Sequence, residues 1–299
     1  MNIIDPHVHL FNLVQGEYHW LRTSEPPFWP DKTLINRTFY DTDLLLEPHF
    51  TLSGFVHIEA GFNNSQPWQE LLMLERTCKK PFKAIATIDL TLTNQKFTQC
   101  LAKLVNFNSF VGVRHIFDEQ ALTLLTNKQV LENFCVLNRW AKAENRKLIF
   151  EAQLSLTEHA PVNALCEVIN NNANITFIIN HAGFPPADIH TIEWQRWQSN
   201  LVKLAMYPHV VIKCSGWEMT DRHYQQVWLS ENLTLLFHVF GKDNMMLASN
   251  FPLCLFSKKG YLDYWQAITS SDFFQALSAH EKNALCYDNA LRWYSMQSS

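Results

Sequence analysis

The stretch "IIDPHVHL", residues 3 to 10, decides how this chain is to be read. Ile3 and Ile4 begin an extended apolar segment, and that segment delivers His7 and His9 two residues apart. Side chains at i and i+2 of a strand face the same way, so both imidazoles can reach one metal ion or one substrate group. A first strand that ends in chemistry raises the question of where the other strands end. Near the opposite terminus, "MLASNFPLC", residues 246 to 254, is an apolar run that stops on an amide, Asn250.

Working outward, short apolar and often β-branched runs recur along the chain. They are "NII" (2–4), "GFVHIEA" (54–60), "AIATIDL" (84–90), "FVGVRHI" (110–116), "KLIFEAQL" (147–154), "ITFIINHAG" (175–183), "VVIKCSG" (210–216) and "MMLASNF" (245–251). Between them lie amphipathic segments such as "QPWQELLMLERTCKK" and "IEWQRWQSNLVKLAMY", apolar at i, i+3, i+4 and i+7. Near-continuous apolar strands alternating with crossover helices imply a parallel sheet covered on its faces. Eight such units in 299 residues is the count of an α/β (β/α)8 TIM barrel. A doubly wound open sheet is the alternative, but no Gly-rich phosphate loop follows the first strand. The first crossover, residues 10–53, contains "HWLRTSEPPFWPDKTL" and reads as a long loop over the barrel mouth. No composition shift or repeat divides the chain, so a single domain is expected over residues 1–299.

Composition narrows the function classes. With 47% hydrophobic and 17% charged residues the chain can bury a large core, and its net charge of −4 comes from scattered charges of both signs. No basic stripe is present to hold a phosphate backbone, so nucleic acid is not an expected partner. The start lacks a basic n-region, and no window reaches about 18 uninterrupted apolar residues, which argues against secretion and membrane spanning. A cytoplasmic enzyme is expected. The seven cysteines are odd in number, spread out and without a C-x-x-C pair, and read as reduced core thiols rather than nucleophiles.

A barrel of this kind builds its active site where the strands end. The polar residues there are His7 and His9, His57 and Glu59, Asp89, Arg114 and His115, Glu151 and Gln153, His181, Lys213 and Ser215, and Ser249 and Asn250. A lone His such as His57 is more often a hydrogen-bonded structural residue than a ligand, and Asp89 can simply cap the next helix. Arg114 is harder to dismiss, because an unpaired buried guanidinium is costly. Its partner would be a carboxylate from the substrate, from Glu59 or from Glu151.

Taken together, "IIDPHVHLF" with its D-x-H-x-H pattern, "VHIEAG", "GVRHI", "NHAGFP", "IKCSG", "SNFPLC" and "NALRWYSM" resemble the amidohydrolase superfamily. More narrowly, they are similar to its branch of metal-dependent TIM-barrel hydrolases that includes sugar-lactone and pyrone-dicarboxylate lactonases. The resemblance implies a site built on His7, His9, a sixth-strand histidine, His181, and an acid after strand eight that deprotonates the attacking water or holds a metal. The family pattern there is Gly-Ser-Asp-(Trp or Phe)-Pro, whereas this chain reads Ala248-Ser249-Asn250-Phe251-Pro252. An amide can orient a water but cannot take its proton, and its neutrality weakens divalent-metal binding.

The expectation is therefore a lactonase-type hydrolase in which His181 and Asn250 position a water, with His7 and His9 as further catalytic groups. His57, Glu59, Arg114, His115 and Glu151 would bind an anionic or polyhydroxylated small molecule. His7, His9 and His181 would supply three nitrogen ligands to one zinc or manganese ion, with a metal-free site equally open. The alternatives are a barrel that has lost catalysis and keeps small-molecule binding, and a metal-dependent decarboxylase. Homo-oligomer formation is left open.

Overall fold

Eight parallel strands occupy the eight apolar runs: β1 (Asn2–Val8), β2 (Thr51–Ile58), β3 (Phe82–Thr87), β4 (Phe110–Ile116), β5 (Leu148–Gln153), β6 (Ile175–Ile179), β7 (Val210–Cys214) and β8 (Met245–Leu247). They pair in sequence order from β1 to β8 in the computed structural model, which describes residues 1–297. Helices such as Trp68–Thr77, Lys128–Ala143, His159–Asn171, Ile192–Ala205 and Gln226–Phe240 follow the strands. The result is a single-domain (β/α)8 barrel, nearly closed.

Two strand ends differ from the sequence reading, each for a local reason. β1 runs on through Asp5 and His7 to Val8, although its pairing with β2 skips from Asp5 to Val8. Pro6 has no N–H to give the ladder, and a register break at that point is the consequence. β8 stops at Leu247 rather than at Asn250, because Asn250 has φ 61°, a left-handed conformation no strand can continue through.

The hydrophobic residues sort into two layers by the period of the strands. One layer, including Phe55, Phe150, Phe177 and Ile212, faces outward and packs under the helices. The other fills the barrel: Ile4, Val56, Ile85, Ile149, Ile178, Val211 and Met246 surround Ala290 and Tyr294 of the last helix. Tyr294 thereby plugs the N-terminal end of the barrel, and its hydroxyl donates to Glu151 Oε1 at 2.6 Å. Above that plug the buried ammonium of Lys213 pairs with Glu151 Oε2 and donates to Pro6 C=O at 3.2 Å.

Closure depends on β1 meeting the residues after β8. His9 N–H donates to Phe251 C=O at 2.7 Å, and Asn250 N–H donates to His7 C=O at 3.0 Å. Asp5 braces the same seam: Oδ1 accepts from the Ser249 and His7 N–H groups, each at 3.1 Å, and Oδ2 accepts from the Tyr261 hydroxyl at 2.9 Å. The segment between β1 and β2 is held by Trp20 Nε1–H to Ala60 C=O at 2.7 Å and by Asp31 against Arg222 at 2.7 Å. Both anchors follow strand C-terminal ends.

Removing the Asp5 carboxylate leaves two buried backbone N–H groups and a tyrosine hydroxyl without acceptors, each such loss costing about 1–3 kcal/mol. Asp5→Ala should therefore destabilise the protein by about 3 kcal/mol or more, read from the midpoint of urea unfolding. An unchanged midpoint would show that the seam does not depend on this side chain.

Candidate active site

The histidines of the first strand reach the barrel mouth as a pair. His9 donates from Nδ1 to Ile58 C=O at 2.9 Å, with Glu59 C=O at 3.2 Å, which leaves its Nε2 with a lone pair. His7 Nε2 lies 3.2 Å from His9 Nε2, so His7 is the donor of that bond. The tautomers follow from this network. His7 Nδ1 then faces no partner. His181 completes the group, its ring centroid 4.6 Å from that of His7 and its Nδ1 3.1 Å from Ser215 Oγ.

Backbone strain concentrates at this mouth. His181, Ala182, Phe184 and Asn250 all have φ between 52° and 61°, a region that non-glycine residues seldom occupy and that marks functional segments. Gly216 is a spatial requirement as well, because a Cβ there would come within 2.5 Å of His181 Nδ1 at a φ of +71°. The close approach of the β7 loop to the imidazole needs a residue without a side chain.

Burial is the main reason that all three imidazoles are held well below the usual histidine range. The positive charges of Lys213 and Arg114 add to it for His7 and His181, and Arg114 and His57 for His9. The histidines are thus neutral near pH 7, fit to donate or accept hydrogen bonds. Arg114 is fixed beside them by Glu59, with Nε to Oε1 at 2.8 Å and an amino group to the Glu59 carbonyl at 2.8 Å. A further bond runs to Gln153 Oε1 at 3.0 Å. Three named bonds leave at least one of its five N–H groups for a ligand.

Other strand-end residues do not join this cluster. His57, in the outward phase of β2, accepts from Leu10 N–H at 3.2 Å and donates to Glu70 Oε1 at 3.1 Å, a buried structural pair. His115 turns to the backbone of Ile88 and Leu90. Glu151 is spent on Lys213 and Tyr294 deep in the barrel. The expectation that these three bind substrate is therefore revised on geometry: the period of two sends His57 and His115 outward, and Glu151 lies below the mouth. Asp89 caps a turn, accepting from Thr91 N–H at 2.8 Å.

Sequence reading missed Glu218, which lies four residues beyond β7 in the short helix Trp217–Thr220. It is fully buried, and its Oε1 accepts from Asn250 Nδ2 at 2.6 Å. Burial pushes its carboxyl up to about 7. The only signal in the sequence was an acid just after the "KCSG" strand end.

As a metal centre the set is partial. Two Nε2 atoms 3.2 Å apart fit one ion lying about 2.0–2.1 Å from each. Among the described residues, however, no three His, Cys, Asp or Glu side chains converge on one point. The Asn250 amide brings no charge to make up the difference. The residues present do not amount to a full donor set for a metal ion.

A parallel eight-stranded barrel with its histidines and a paired arginine collected at the C-terminal strand ends has the architecture of a TIM-barrel enzyme. The amidohydrolase family model matches residues 4–296, and the chain belongs to that family. Over 158 residues, half of each chain, it is 29% identical to an L-fucono-1,5-lactonase of Burkholderia multivorans. Among solved structures it is similar to a Burkholderia multivorans amidohydrolase with bound zinc, at 20% identity and TM-score 0.78, covering 99% of this chain and 100% of that one. It is also similar to a putative 2-pyrone-4,6-dicarboxylic acid hydrolase from Pseudomonas putida, at 17% identity and TM-score 0.69, covering 98% and 97%. Among the described residues no helix is long and apolar enough to cross a membrane.

The raised Glu218 carboxyl has a consequence for stability. Between its usual value of 4.5 and the folded value of about 7 the folded state binds more protons than the unfolded one, so its contribution is lost as pH rises through that window. The loss amounts to about 3 kcal/mol. Glu218→Gln lacks this slope, and its melting temperature relative to the natural protein should rise from pH 4.5 to pH 7.5. A constant difference across that range would show that the carboxyl titrates at its usual value.

Proposed function

We propose that the protein hydrolyses a lactone, and that its substrate is a neutral, polyhydroxylated sugar lactone. The observation that carries the reading is the cluster of three neutral imidazoles beside an arginine already paired with Glu59. A neutral imidazole N–H can polarise an ester carbonyl without presenting a full charge. A neutral imidazole nitrogen can also take a proton near pH 7.

In this reading the carbonyl oxygen of the cyclic ester accepts hydrogen bonds from His181 and the spare N–H of Arg114, which stabilise the negative charge that develops there. Asn250 orients the attacking water. Ring opening gives a hydroxy acid. Because the ester is activated by its ring, a weak base suffices.

The charge pattern supports the choice of substrate class. The buried cations Arg114 and Lys213 are each matched by a buried carboxylate, Glu59 and Glu151. Neither of these two cations is left without a counter-ion to meet a dicarboxylate, and Lys32, buried in the segment between β1 and β2, is turned to the Arg22 and Glu25 carbonyls. The part-length identity to a fucono-lactonase agrees with this. Glu59 and Gln153, which hold Arg114, would also meet the substrate at its edge.

Turnover on a panel of sugar lactones and 2-pyrone-4,6-dicarboxylate, followed by acid release in a weakly buffered indicator assay, tests the reading. At least one sugar lactone should be hydrolysed with a kcat/KM at least about tenfold above that for the dicarboxylate. Failure of every lactone with folding intact would leave a barrel that binds and does not turn over.

Metal binding in this family is tied here to position 250. Asn250→Asp places a negative charge on the residue whose N–H bonds the His7 carbonyl and should raise zinc retained after dialysis at least about tenfold. Elemental analysis of both proteins gives the comparison. Equal retention would show that the amide is not what limits the site.

A further inference from the structure

Six carboxylates are buried in the described chain: Asp5, Asp41, Glu59, Glu70, Glu151 and Glu218. Five of them each accept at least two hydrogen bonds or form an ion pair. Asp5 holds the seam through three donors, and Asp41 accepts from the Lys79 and Lys80 N–H groups at 2.7 and 2.9 Å. Glu59 pairs with Arg114, and Glu70 accepts from His57 and from Ala60 N–H. Glu151 has Lys213 and Tyr294.

Glu218 is the exception. Its Oε1 accepts from the Asn250 amide, while its Oε2, though buried, meets no hydrogen-bond donor. Among the described residues no Lys, Arg or His forms an ion pair with it; Arg222 donates to its backbone carbonyl instead. The other ionisable groups around it are Lys258, Tyr224, Tyr264 and Cys254. Lys258 is turned toward the Tyr224 ring, 4.5 Å from its centroid. A structural carboxylate left in this state is costly, so an uncompensated one beside a catalytic segment is better explained by use.

Its neighbour is telling. Asn250 stands where the family pattern has an acid, and the Asn250 Oδ1 is itself buried and unpartnered. Two free oxygens, one on the amide and one on the carboxylate, thus lie on the two members of a single hydrogen-bonded pair.

The geometry points to Glu218 as the proton acceptor of the site, a carboxylate relocated from position 250 to the β7 loop and held in place by the amide that replaced it. The inference rests on the lactonase reading above. The water's O–H bond breaks as its oxygen bonds to the carbonyl carbon, and the proton passes to Glu218 Oε2. When the ring C–O bond breaks, the same proton goes to the departing alkoxide, giving the hydroxy acid and the free carboxylate. The raised Glu218 carboxyl agrees with a base poised near neutrality.

The test compares kcat/KM from about pH 5 to pH 9 for the natural protein, Glu218→Gln, and the double variant Glu218→Gln with Asn250→Asp, with folding checked by circular dichroism. The natural protein should show an ascending limb near pH 7, above the range of its depressed histidines. Glu218→Gln should lose at least about 100-fold. The double variant should recover at least about tenfold of that loss with its limb moved to lower pH, which a merely structural role for Glu218 would not produce. Retention of kcat/KM within about threefold in Glu218→Gln overturns the proposal. Should that variant misfold, a natural profile without a limb near pH 7 overturns it equally. A natural protein inert on all lactones is a different result: it removes the lactonase reading, and the role of Glu218 goes with it.

Discussion

The seam between β1 and the residues after β8 is the constraint on which the rest of this structure depends. Its hydrogen bonds join groups more than 240 residues apart in the chain, with Asp5 taking the Ser249 N–H and His7 C=O taking the Asn250 N–H. Such contacts repay a large loop-closure entropy only when the other seven strand pairings are already in place. Once made, they set Asn250 against the backbone of His7, so the site forms as a result of barrel closure. The D-x-H pattern has a double use: its acid staples the barrel and its histidine faces the mouth.

Charge inside the barrel follows from burial. Lys213, fully buried, is held down to about 8, chiefly by desolvation, and its ion pair with Glu151 offsets part of that cost. Arg114 is likewise matched by an ion pair, with Glu59. With both cations matched, their remaining effect on the neighbouring imidazoles is to keep them neutral. A site of this kind handles neutral, hydroxyl-rich ligands at lower desolvation cost than multiply charged ones. Glu218 stands outside the scheme, a buried acid with one hydrogen-bond partner on its side chain and, among the described residues, no ion pair.

Much of the fold was legible because it is repetitive. Eight apolar runs with helical segments between them became eight strands in order, and Arg114 was rightly read as needing a carboxylate. The errors share a cause. His57 and His115 lie next to residues that face inward, and a strand alternates sides with every residue, so nearness in sequence to the mouth was not enough to place them there. Glu151 has the inward phase but lies too deep, where Tyr294 from the last helix meets it. The extent of β8 was misjudged because the left-handed turn at Asn250 carries no apolar or polar signature of its own.

The sequence by itself determined the barrel and the His7–His9 pair, since each is written in local spacing and residue type, and its resemblance to the amidohydrolases marked Asn250 as standing where their pattern has an acid. Only the tertiary structure decided which polar groups are spent on one another. Pairings such as Glu59 with Arg114, Glu151 with Lys213 and Asn250 with Glu218 join strands or loops far apart in the chain, and they depend on barrel closure and depth. No one-dimensional pattern carries a hydrogen bond between two loops, and so Glu218, in the segment after β7, became visible only once the chain had folded around it.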